Sequence, residues 1–355
     1  MFDFVLTIPA ADVYYIVQLM LLILPIFADV NISGYIETRP YIVWNDSTHF
    51  TGYNRGWFEL KSSDTDHGVQ LALDLIVPYD TTTLGYVSDN INISRLAIWL
   101  GDERARIVAG KQSLYWGVGR VFRPLDIFNR TNYFEPGYER TGSNALLCYL
   151  SLGHLSNIRC LVRPDGDISS ALVGVRAGTN LASHDIGVTF MHCASDDRTI
   201  AGGEITGELL AGYWGEMSYT RNDTVDYTKT SVGLDYTFPL SIYAMIEYYF
   251  DGSGADDPAY YDYSTIIAGQ RQTLAQHYLY TSVGLTSNPF LRPSVSCIIN
   301  LIDGGTIVIP QLSYAAMENA EVTIGLNYAL GTTRSEFRNI TPYHGTVYVW
   351  GKVYF

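Results

Sequence analysis

The sequence predicts an all-β fold: a transmembrane antiparallel up-and-down β-barrel of 16–18 strands, 18 by direct count, with long outer loops and short periplasmic turns. Three observations predict it. The chain divides into alternating segments close to the roughly 9–11 residues that a tilted membrane strand needs. The long connections all follow odd-numbered segments. The last segment, from Thr346 to Phe355, alternates to the chain end and stops on an aromatic ring.

Composition agrees. Apolar residues make up 47% of the chain and charged residues 16%, below the roughly 25% charged of ordinary soluble domains. The 28 tyrosines suit a barrel with an aromatic girdle at each membrane interface. Beyond the leader no apolar run reaches the roughly 20 residues of a membrane helix. A closed barrel needs only alternate residues to be apolar. The formal charge is −14, and removal of Asp3 and Asp12 with the leader leaves −12. That balance argues against nucleic acid as a partner.

The leader is the apolar stretch 13–27 followed by Ala28. It reads as a signal peptide over 1–28, with the barrel over 29–355. It departs from the usual pattern because no Lys or Arg precedes it, whereas Asp3 and Asp12 do.

The early strands are expected near 30–43, 51–63, 67–78, 92–101, 104–113, 143–152 and 155–163. The middle ones are expected near 168–178, 183–193, 199–209, 211–221, 228–239 and 241–251. The last are expected near 276–286, 291–301, 304–315, 319–330 and 345–355. Val69, Leu71, Leu73 and Leu75 oppose Gln70, Ala72 and Asp74. Ile242, Ala244, Ile246, Tyr248 and Phe250 oppose Tyr243, Met245, Glu247 and Tyr249. A sandwich also alternates, so connection length decides. The long connections lie near 79–91, 114–142, 252–275 and 331–344, all after odd strands, and the connections after even strands are short. Bacterial outer-membrane barrels have this asymmetry. With 16–18 strands such a barrel leaves an aqueous channel.

Alternation directs a polar set inward, including Asp74, Arg95, Arg106, Glu216, Asp235 and Glu247. Lipid-facing charge at the midplane costs several kcal/mol. Phe355, Tyr248, Phe250 and Phe238 are expected in the girdles. Cys148 and Cys160 are equidistant from the turn at His154, so they should oppose each other, facing lipid, with separate thiols favoured over a bridge. The four cysteines carry no metal-ligand spacing, and neither a metal nor a cofactor is expected. No G-x-S-x-G elbow is present and the seven histidines are scattered, so catalysis is not expected.

The loop 113–142 carries the most chemistry. Lys111, Trp116, Arg120, Arg123, Asp126, Arg130, Glu135, Glu139 and Arg140 mark a segment rich in charge and aromatics. A loop of this length with packable rings is more often functional than disordered. Folded inward, it would set a field in a narrow passage. Gly110-Lys111-Gln112, then Trp116-Gly117, then Pro124-Leu125-Asp126, resemble a pattern in Gram-negative outer-membrane porin-like barrels, including alginate-export-like families. The closing strand ending on Phe355 resembles theirs too. The resemblance implies a pore of the 18-strand type, with this loop near its mouth. It also implies outer-membrane lipid and lipopolysaccharide as surroundings and assembly machinery that reads Phe355, but no substrate. The wet lumen of so wide a barrel points to small hydrophilic solutes as permeants. The alternative is a loop-plugged export, capsule-anchoring or adhesion barrel. The chain shows no belt that fixes its oligomeric state.

Overall fold

The computed structural model describes residues 30–44, 47–63, 66–79, 91–129, 142–268, 270–341 and 344–355. The leader lies outside the described residues, as do Arg130, Glu135, Glu139 and Arg140 of the loop. Eighteen strands form one sheet. The first nine are β1 (Val30–Trp44), β2 (Thr48–Ser63), β3 (His67–Pro78), β4 (Ile91–Gly101), β5 (Ala105–Gln112), β6 (Ser143–Ser151), β7 (Ser156–Asp165), β8 (Asp167–Leu181) and β9 (His184–Cys193). The rest are β10 (Arg198–Glu208), β11 (Gly212–Arg221), β12 (Tyr227–Phe238), β13 (Ile242–Asp251), β14 (His277–Leu285), β15 (Leu291–Asn300), β16 (Thr306–Met317), β17 (Ala320–Leu330) and β18 (Gly345–Tyr354).

Each strand pairs antiparallel with its sequence neighbours, and β1 also pairs with β18, from Tyr35 opposite Tyr354 to Trp44 opposite Gly345. The sheet therefore closes into a barrel with no free edge. Closure is what makes a sheet viable in lipid, where each unsatisfied backbone group costs several kcal/mol. The strand count and the side on which the long connections fall are those expected. The β1–β2 hairpin runs on to Trp44 opposite Thr48, so its second strand starts earlier than the alternation suggested. Two single-turn helices in the outer loops, α1 (Tyr263–Ile267) and α2 (Glu336–Ile340), were not foreseen. Five residues are too few to show helical periodicity.

The faces alternate as barrel walls must. On β11, Met217 and Tyr219 are exposed, whereas Trp214, Glu216, Ser218 and Thr220 are buried. Phe355 and Phe238 are exposed at the short-turn rim, where Phe355 packs on Phe58 with ring centroids 5.7 Å apart. Tyr248 and Phe250 lie towards the long-loop rim, and Tyr248 Oη is 2.7 Å from His277 Nδ1. Cys148 and Cys160 are register partners, both exposed and both free thiols.

Candidate functional site

Residues 113–129 enter the barrel interior, because their partners are inward-facing side chains of the opposite wall. The segment is irregular, so its backbone N–H groups have no ladder and need acceptors. Two carboxylates supply them. Glu216 on β11 accepts from Val118 and Gly119 N–H at 2.7 and 2.9 Å through Oε2, and from Leu125 N–H at 2.5 Å through Oε1. Glu247 on β13 accepts from Arg120 N–H at 2.8 Å through Oε2, and from Val121 and Phe122 N–H at 3.1 and 2.6 Å through Oε1. Trp214 Nε1 donates to the same Glu247 Oε2 at 2.7 Å. Its ring reaches across β12 over Gly233, where a Cβ would lie 2.1 Å from the indole.

Apolar packing seats the rest of the loop. Leu114, Trp116 and Leu125 join Leu161, Leu172, Met191 and Ile200 of β7–β10 in one buried cluster. Trp116 settles over Gly174 of β8, where a Cβ would come within 2.8 Å of the indole. Gly117 holds φ +97°, and a Cβ there would lie 2.6 Å from both Glu216 carboxylate oxygens, so only glycine suits this turn. On the other side Phe122 stacks on Tyr249 at 4.6 Å. It joins a second cluster with Tyr278, Ile298, Ile307 and, from α2, Phe337.

Charged groups within the loop mostly serve its own shape. Arg123 donates to the carbonyls of Gly119 and Arg120 at 2.6 and 3.1 Å and lies over the Tyr115 ring. Arg120 lies over the Trp214 ring at 5.3 Å. Asp126 accepts from Asn129 Nδ2 at 3.0 Å and from the N–H groups of Phe128 and Asn129 at 3.2 Å. Burial pushes the Asp126 carboxyl up to about 6 against those hydrogen bonds.

The acids of the inner wall are occupied. Glu204 is paired with Arg176, Glu216 and Glu247 hold the loop, and Asp235 accepts from Tyr243 Oη at 3.1 Å. Asp74 is paired with Arg55 at 2.7 Å, and Arg95 lies 3.6 Å from Glu59. Lys111 donates to Asn92 at 3.4 Å, and Asn92 is the register partner of Asp74 on β3. Basic side chains dominate one inner stretch instead. Arg106 opposes Tyr149, Tyr149 opposes Arg159, and Arg159 opposes Arg176, in one row across β5–β8. Among the described residues, no carboxylate lies within ion-pair distance of Arg106, Arg159 or Arg163.

An outer cap adjoins the loop. Glu336 of α2, fully buried, accepts from Leu274 N–H at 2.9 Å and Asn300 Nδ2 at 2.7 Å, and also from Tyr278 Oη. Its own N–H donates to Asp303 at 2.7 Å. One carboxylate thus ties three outer connections together. Burial pushes it up to about 7, against these hydrogen bonds and helped by the Asp303 charge.

Sequence reasoning named Glu216 and Glu247 but missed their task. It also missed the apolar inner surface of β7–β10. Leu172-Val173-Gly174-Val175 carries apolar or small residues on both faces, a signal that something packs inside.

No protein-family model matches the sequence, and no curated protein does. Solved structures share the fold. The outer membrane protein OpdK from Pseudomonas aeruginosa is 9% identical over 93% of this chain and 99% of its own, with a TM-score of 0.63. The outer membrane protein OprD from the same organism is 10% identical over 93% and 94%, with a TM-score of 0.61. OccAB1 from Acinetobacter baumannii is 10% identical over 93% and 97%, with a TM-score of 0.63. At these identities the likeness is one of fold.

Proposed function

We propose that this chain is an outer-membrane channel for small hydrophilic solutes, narrowed by the third outer loop and favouring anions. The observation that carries this is the pairing of an 18-strand closed barrel with a loop held inside it by wall carboxylates. A barrel of that size has room for water. A loop inside it brings the passage down to the size of a small solute, where fixed charges act strongly. Among the described residues, no carboxylate lies within ion-pair distance of Arg106, Arg159 or Arg163 on the inner wall, whereas Asp74, Glu204 and Glu247 are already engaged. A row of guanidinium groups attracts anions and repels cations.

The surroundings follow from the same architecture. The outward apolar band faces outer-membrane lipid and lipopolysaccharide, and the closing strand ending at Phe355 is the part offered to the assembly machinery. Liposome swelling with uncharged solutes of graded size tests the channel. Swelling with small sugars and none with large ones is expected. A protein that admits no solute would be a plugged barrel, the export or adhesion alternative.

A further inference from the structure

We propose that Glu216 and Glu247 are positioning residues that set the bore, acting as acceptors for the loop backbone. The inference rests on the channel reading above. Both side chains start from inward positions on strands two apart, with β12 between them. Among the described residues, neither has a basic side chain at ion-pair distance. Glu216 is 2% exposed and Glu247 is 0% exposed, and their oxygens are taken by N–H donors from 118–122 and 125 together with Trp214.

A carboxylate is the only side chain that presents two acceptor oxygens and no donor. That is what a run of unladdered N–H groups requires. The hydrogen bonds also fix direction, which packing does not. The apolar cluster around Trp116 anchors the start of the segment against β7–β10, but the stretch from Val118 to Val121 crosses between the two clusters. Its position is set by the carboxylates. Gly117 supports the same point, because its left-handed turn brings the chain against Glu216 where any Cβ would meet the carboxylate.

The test is E216Q, E247Q and the double variant in planar bilayers. Glutamine keeps the volume but turns one acceptor into a donor that faces N–H groups. The strand ladders are untouched, so the barrel should fold and run on gels as the parent does. The expected result is a mean conductance raised roughly two-fold in the double variant, with added flicker, as the loop leaves the passage. Limited trypsin digestion gives a readout that does not need current: the Arg120–Val121 bond should become cleavable in the double variant and stay protected in the parent. Parent-like conductance together with a protected Arg120 in a folded double variant overturns the proposal. If the parent carries no current yet the double variant gains cleavage, the channel reading fails and the positioning role stands.

Discussion

Phe122 N–H donates to Glu247 Oε1 at 2.6 Å, joining a loop between β5 and β6 to β13 across the barrel interior. The Phe122 ring lies flat on Tyr249, two residues further along the same strand. One residue is thus held by its backbone and its side chain at once. Phe122→Ala keeps the first contact and removes the second. Truncating a buried Phe costs about 3–5 kcal/mol of local packing. The expected result is a barrel that still forms but a loop that is cut faster by trypsin, with a smaller change than in the Glu double variant.

Arg159 sits between Tyr149 and Arg176 on the inner wall. Arg159→Ala removes one cation from a row in which, among the described residues, Arg176 alone has a carboxylate at ion-pair distance. The reversal potential in a salt gradient should move towards cation preference, and Arg106→Ala should move it the same way. An unchanged reversal potential in both variants would rule out the arginine row as the selectivity element.

Glu336 gives the outer cap a pH dependence. Its folded value, pushed up to about 7 from 4.5, means that the closed cap binds a proton that the released cap gives up. The sign follows from linkage. The cap is most stable below about pH 4.5, weakens as the pH rises to about 7, and is constant above. The total change is about 3 kcal/mol. Trypsin cleavage at Arg334 and Arg338, normalised to a free peptide, should accelerate over that window. Glu336→Gln should abolish the dependence; equal slopes in the two proteins would contradict it.

Cys148 and Cys160 face outward side by side on β6 and β7. In proteoliposomes a membrane-permeant maleimide should label both, and a charged impermeant thiol reagent should label neither. Labelling by the charged reagent from outside would place them in water and revise the position of the bilayer.

The fold was legible because a barrel wall writes itself into the chain residue by residue. Each strand alternates, and each rim has its own connection length. The Cys148–Cys160 register followed from arithmetic about His154 for the same reason. The site was less legible. Alternation shows that Glu216 and Glu247 point inward but not what meets them, because the loop that meets them is about a hundred residues away in sequence. The pairing of Asp74 with Arg55 was hidden for the same reason, since the arginine stands on another strand. The cap at Glu336 depends on three separate connections, and no local pattern announces such a meeting.

Single-channel recording of the parent protein with poly(ethylene glycol)s of graded size tests the central claim most directly. The account predicts a steady current that small polymers reduce and large ones leave untouched, the cut-off marking the passage beside the loop. A bilayer that contains folded protein and shows no current, or a cut-off as wide as an unobstructed 18-strand barrel, would contradict it.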